Sequence, residues 1–180
     1  MTYKATQMVS PEDLQIAGIV INQFRGNLAE DITDPIMDAH NLIDIDDEGF
    51  YPATVVDEIY KEIYGDGTGQ QALVAMGKAS AKTTLDFIKP DNPKDVLDNI
   101  HNVFTAYLRN MPEGFGIIVT EKEGNTFEVW NNTQVPNDLI YGFLWECLRV
   151  TKPEGKGFNL MPLSGYDANS TKGAKFEISW

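Results

Sequence analysis

The chain has a single cysteine, Cys147, in 180 residues. An internal disulfide is therefore excluded, and a cytoplasmic setting is expected. Positive charge is also scarce. Fourteen Lys and Arg stand against 27 Asp and Glu, giving a formal charge of −13. That balance argues against nucleic-acid binding, which needs clustered cations to neutralise phosphates. It argues equally against docking on an anionic membrane surface. No apolar run reaches the roughly 18 residues that a spanning helix needs. The opening "MTYKATQMVSPED" lacks the apolar centre of a secretory signal. Catalytic signatures are missing as well. There is no Gly-x-Ser-x-Gly elbow, no phosphate-cradling Gly-x-x-x-x-Gly-Lys loop, and no carboxylate pair that stands out from the acidic background. We therefore expect a binding protein, not an enzyme.

What is present suits one folded domain over residues 1–180, with residues 1–15 as an extension. Apolar residues make up 42% of the chain and aromatics 11%, enough to build a core. "SPEDLQIAGIVINQF" reads as a helix with Ser10 as N-cap and Pro11 at the first helical position. "TDPIMDAHNL" reads as a short helix starting near Thr33 or Asp34. "ATVVDEIYKEIY" is helical by its apolar spacing. "QQALVAMGKASAKTTLDFI" is a longer helix rich in small residues, onto which another element can pack closely. "KPDNPKD" restarts the chain with Asn92 as N-cap and Pro93 inside the next helix, which is expected to run to about Arg109. The pattern then changes. "FGIIVTEKEGNTFEVWNNT" reads as a β-hairpin, "VPNDLIYGFLWECLRV" as a helix, and "KGFNLMPL" and "AKFEISW" as two further strands. The fold class is α+β: an N-terminal helical part, then a small antiparallel four-stranded sheet with a crossover helix.

Few residues carry candidate chemistry. "DIDDEGFYPATV" places Asp44, Asp46, Glu48 and Gly49 where a calcium loop would want them. Its twelfth position is Val55, not a bidentate acid, so it reads as a solvated acidic turn. Cys147 sits mid-helix among Leu144, Trp145 and Leu148 and reads as a buried small hydrophobe. His40 ends a short helix, where imidazole suits the helix carbonyls. His101 shares the stripe of Leu97, Ile100, Phe104 and Leu108 in "LDNIHNVFTAYL". By pattern it is either a satisfied core histidine bonded to a backbone carbonyl or an axial ligand to a metal or heme.

Several strings, in order, resemble the heme–nitric oxide/oxygen binding (H-NOX) family. "AGIV" at 17–20 is similar to the start of its first helix, and "IDIDDEGFYPATVVDEIYKEI" to its Tyr-Pro segment. "LDNIHNVFTAYL" with "MPEGF" resembles the proximal-histidine helix and the proline turn after it. "IIVTEKEGNTFEVWNNT" and "NDLIYGFLWECL" resemble the hairpin and crossover helix. The resemblance implies a heme held by His101, with Pro112 against the macrocycle and Val20, Leu97 and Phe104 in the pocket. It implies a diatomic gas (nitric oxide or carbon monoxide) as the signal, and a separate kinase or cyclase as the receiver. One motif departs from the family. The Tyr-x-Ser-x-Arg that holds the propionates is replaced by "VWNNTQVPND", with Gln134 or Val135 at the place of the arginine. This departure favours a second reading, a heme-free small-molecule-binding or protein-interaction module on the same scaffold.

Overall fold

The computed structural model describes residues 10–27, 30–42, 44–65, 69–163 and 173–180. The chain enters through a turn in which the Leu14 amide donates to the Pro11 carbonyl at 3.0 Å. Three residues of strand follow, β1 (Gln15–Ala17), and only then α1 (Gly18–Asn27). The helix thus starts well after the point that Ser10 as N-cap predicts. Ser10 instead ties the entry of the chain to the later helix that carries Asp57. Its amide and hydroxyl donate to the two carboxylate oxygens of buried Asp57, at 2.8 and 2.9 Å. Gly18 is the point of turning. A Cβ there would lie 2.0 Å from the Asp46 carbonyl oxygen, so only glycine lets the chain pass from strand to helix beside that loop.

The helical part continues with α2 (Glu30–Ala39), β2 (Phe50–Pro52), α3 (Thr54–Gly65) and α4 (Gly69–Ile88). α2 starts earlier than expected and carries Pro35 inside it. α5 (Pro93–Thr105) begins as predicted: the Asn92 side chain accepts from the Asp95 amide at 3.1 Å, and Pro93 takes the first helical position. It ends short of Arg109. Leu108 and Arg109 form β3 instead, pairing with Ile16 and Gln15. The result is a three-stranded antiparallel sheet, β2-β1-β3, which the sequence pattern does not announce. The guanidinium of Arg109 lies 3.5 Å from the Phe50 ring centre and closes its outer side.

The second half follows the prediction. β4 (Gly116–Glu121) and β5 (Thr126–Asn132) form the hairpin, α6 (Asn137–Thr151) crosses over, and β6 (Asn159–Pro162) and β7 (Lys175–Ser179) complete an antiparallel sheet ordered β4-β5-β7-β6. The connection between β6 and β7 expected over "SGYDANSTKG" falls mostly outside the described residues. α4 and α6 cross at close quarters. A Cβ on Gly77 would fall 2.0 Å from the Leu139 carbonyl oxygen, and one on Gly142 would fall 2.2 Å from that of Val74. The small-residue character of α4 thus has its expected use, a backbone-to-backbone crossing.

Two cores result. One, under the helical part, gathers Leu14, Ile21, Phe24, Met37, Ile59 and Leu73. The other lies between α5, α6 and the sheet and gathers Leu97, Ile100, Ile117, Val129, Leu144 and Phe176. Among the described residues, no helix is long and apolar enough to cross a membrane.

Candidate ligand cavity

Between the two cores lies a cavity of about 530 Å³. That size suits a drug-sized or cofactor-sized molecule. Its deep wall is made by Ile16, Phe24, Tyr60, Met76, Leu139 and Phe143, all buried. Its mouth is open: Phe87 is 87% exposed and Tyr107 44%. α4 contributes Ser80, Thr83 and Thr84, and the segment after β5 contributes Thr133, Gln134 and Val135. Among the described residues, no lining side chain is a Lys, Arg, Asp, Glu, His or Cys. Burial pushes the Tyr60 phenol well above its ordinary value, with help from nearby Asp57, so this wall group stays protonated and neutral.

The segment after β5 is held rigidly. The Asn131 side-chain amide donates to the Val135 carbonyl at 2.8 Å and to Asn137 Oδ1 at 2.9 Å. The Thr133 hydroxyl donates to Asn131 Oδ1 at 2.6 Å and accepts from the Val135 amide at 3.0 Å. Asn137 Oδ1 also accepts from the Ala174 amide at 3.1 Å, tying the segment to the approach to β7. Asn131, Thr133 and Asn137 are all buried and all bonded. Gln134 sits between them, 1% exposed and lining the cavity, and its Oε1 has no partner.

Of the residues singled out from sequence, Val20 and Phe104 line the cavity. Phe104 meets Phe143 edge-on, with ring centres 5.1 Å apart. Leu97 is buried in the sheet-side core, away from the cavity. Pro112 is exposed in the turn before β4, where its carbonyl accepts from the Phe115 amide at 3.2 Å. His101 is not in the buried stripe but exposed at its edge. Its ring rests on Gly116, where a Cβ would come within 2.6 Å of Nδ1, and its Nδ1 lies 3.2 Å from the Ile117 carbonyl oxygen. With Nδ1 protonated, that is the bond to a backbone carbonyl expected of a histidine with a purely structural part. Gly116 has φ +137°, a conformation open to glycine alone, which lets the strand lie under the ring.

The side of α5 that meets the cavity carries Asn99, Asn102, Val103 and Phe104, with Ala106 just past its end. His101 is not among the lining residues, its ring being held on Gly116 beside the Ile117 carbonyl. A heme would need an axial imidazole, thiolate, thioether or phenolate and donors for two propionates. The lining holds the Met76 thioether and the Tyr60 and Tyr107 phenols but no imidazole, thiolate or cation among the described residues, and α5 itself offers it carboxamides, Val103 and Phe104. With no imidazole from α5 and no cation for the propionates, the cavity does not fit a heme held through His101. The other candidates are equally quiet. Cys147 is buried, and burial with the nearby Glu146 charge pushes its thiol up to about 12, so it stays inert. His40 pairs with Glu58 at 3.3 Å. In the acidic turn, Asp46 Oδ1 accepts from the Glu48 amide and Asp47 Oδ1 from the Asn22 side chain. The described residues contain no cluster of three metal-binding side chains.

No family model matches the chain, and no curated protein matches it. Solved structures do. The Fe(II) unliganded H-NOX protein from K. algicida is 15% identical, with TM-score 0.66, over 91% of this chain and 96% of that one. A single-site mutant of it is 13% identical, with TM-score 0.68, over 91% and 96%. An H-NOX protein from S. oneidensis in the Fe(II)NO state is 11% identical, with TM-score 0.64, over 91% and 98%. Identities this low speak to architecture alone, but they span nearly all of both chains and agree with the order of elements read from the sequence. The chain has the H-NOX fold.

Proposed function

We propose that this chain is a heme-free member of the fold that binds a largely apolar small molecule in the cavity between its two cores. The observation that carries the proposal is the chemistry of the lining: ample apolar wall, scattered hydroxyls and carboxamides, and no ionisable or iron-ligating group from α5. Such a wall holds a neutral ligand at little electrostatic cost, whereas a buried ion would go unpaired. The fold likeness extends the proposal to sensing, with a separate signalling protein as the receiver of the bound state.

A rival reading keeps heme and a diatomic gas, with His101 as axial ligand. The likeness to heme proteins favours it. It requires α5 to turn so that the imidazole leaves Gly116 and the Ile117 carbonyl.

One titration separates the two. Purified protein is mixed with Nile red, a neutral apolar dye, and in parallel with hemin followed by desalting. We expect saturable dye fluorescence that Val103→Trp, which fills the cavity, removes, and no retained Soret band. A Soret band that survives desalting and vanishes in His101→Ala would overturn the heme-free reading. Dye binding indifferent to Val103→Trp would remove the cavity as its site.

A further inference from the structure

Tyr60 is 4% exposed, lines the cavity, and meets Phe24 edge-on with ring centres 5.4 Å apart. Its phenol has no hydrogen-bond partner among the described residues. Asp57, one helix turn back, does not serve. Its two carboxylate oxygens accept from the amide and hydroxyl of Ser10, and it acts on Tyr60 through its charge alone. A buried hydroxyl left unbonded is costly, so such a group calls for a partner. This one is open to receive it. Among the described residues, Gln134 Oε1 is the unbonded side-chain atom sealed off from water, and the Tyr60 oxygen, equally unbonded, is not sealed. In a side chain so nearly enclosed, the space that reaches the hydroxyl is the cavity it lines. The other polar groups of the lining are differently placed. Thr83, Asn99 and Asn102 are exposed, where water serves them, and Thr133 gives its proton to Asn131.

We infer that Tyr60 is a specificity-determining residue of the cavity and that the ligand is a neutral, mostly apolar molecule whose carbonyl oxygen accepts a hydrogen bond from its phenol. Three features converge on this class. The deep wall around Tyr60 is Ile16, Phe24, Met76, Leu139 and Phe143, so the body of the ligand is apolar. The phenol keeps its proton because the Asp57 charge and burial both oppose a phenolate, so the ligand supplies the acceptor. The same Asp57 charge, with no Lys, Arg or His in the described lining to oppose it, disfavours an anionic acceptor such as a carboxylate. A water bonded to the phenol is displaced without loss only by a group that reproduces its bond, which a carbonyl does and a hydrocarbon does not. The inference deepens the cavity-binding reading above and rests on it.

The test is competition against bound Nile red by 2-acetylnaphthalene and by 2-isopropenylnaphthalene, two planar probes of the same shape of which only the first has an oxygen to accept with. The quantity read is the ratio of their inhibition constants within each protein, so that dye affinity and the greater hydrophobicity of the alkene cancel. We expect Tyr60→Phe, which removes one oxygen and keeps the ring against Phe24, to move that ratio about tenfold toward the alkene, the worth of one such hydrogen bond. A second readout does not depend on affinity. The carbonyl stretch of bound 2-acetylnaphthalene, followed by infrared difference spectroscopy, should lie at lower frequency in the natural protein than in Tyr60→Phe. A ratio that Tyr60→Phe leaves within about twofold, or a carbonyl stretch that it does not move, overturns the assignment to Tyr60 and leaves the cavity reading standing. Dye that is not excluded by Val103→Trp defeats the cavity reading itself.

Discussion

The two sides of this molecule treat space differently. At their crossing α4 and α6 approach so tightly that Gly77 and Gly142 have no room for a methyl group, and in the sheet-side core Ile100, Ile117, Leu144 and Ile178 are at most 1% exposed. One helix turn further along α5, Val103, and beyond it Ala106, border an opening of about 530 Å³. α5 belongs to both: Ile100 is buried in the sheet-side core, and Val103, half-buried against that same core, also borders the opening. The difference teaches where stability and recognition reside. A chain that packs one flank so closely does not leave the other unfilled for want of apolar residues.

The sharpest way to break the contrast is at the crossing. Gly77→Val drives two methyl groups toward the Leu139 carbonyl oxygen and the Phe143 amide, 2.0 and 2.8 Å from where even a Cβ would stand. We expect loss of the cooperative unfolding transition, read by circular dichroism against denaturant. Next in size is a paired truncation on α5. Ile100→Ala empties a site that is 1% exposed and should cost about 2–5 kcal/mol. Val103→Ala enlarges a space that already exists and should cost less than about 1 kcal/mol. Equal costs in chemical denaturation would dissolve the distinction between the two faces.

The smallest effect is a pH dependence of opposite sign in the two halves. In the helical part, burial pushes the Asp57 carboxyl up from its ordinary 3.8, against the opposing Ser10 hydrogen bonds. Its charged form is therefore disfavoured on folding. The penalty stands at pH 7 and is relieved as pH falls through the raised value toward 3.8. On α6, the Arg149 guanidinium donates twice to Glu146, at 2.8 and 2.7 Å, and holds that carboxyl below its ordinary 4.5. Its contribution is present above 4.5 and is lost as pH falls through the lowered value. Relative to Asp57→Asn the natural chain should gain stability between about pH 7 and 4. Relative to Glu146→Gln it should lose stability below about pH 4.5. Thermal melts across that window check both signs.

Most of the α+β plan was legible because each long element announces itself locally. The alternation in "GIIVTE" and "TFEVWNN" marks the hairpin, and Asn92-Pro93 marks a helix start. The small sheet was not legible. β1 and β2 have three residues each and β3 two, too few for periodicity, and Ile16 meets Leu108 from the far end of the helical part. The same pairing takes Leu108 out of the helical stripe to which its spacing assigns it. The site was half legible. The place of the missing arginine was visible as Gln134 or Val135, but a sequence does not show which side chain is buried and unbonded. The exposure of His101 was hidden for a related reason. Asn99 and Asn102 look like a solvated helix face, so the apolar stripe draws the histidine beside it into the expected interior. A cavity lined with carboxamides and a surface bathed in water have the same signature in one dimension.

The unfilled space between the cores has a consequence for how such a domain changes over time. Thr83, Phe87 and Ala106, around the opening, are exposed and lie outside both cores. They can be exchanged one by one, altering the shape and polarity of the opening, while the Gly77–Gly142 crossing keeps the architecture. A lineage built this way can drift from one lining to another through sequences that all fold.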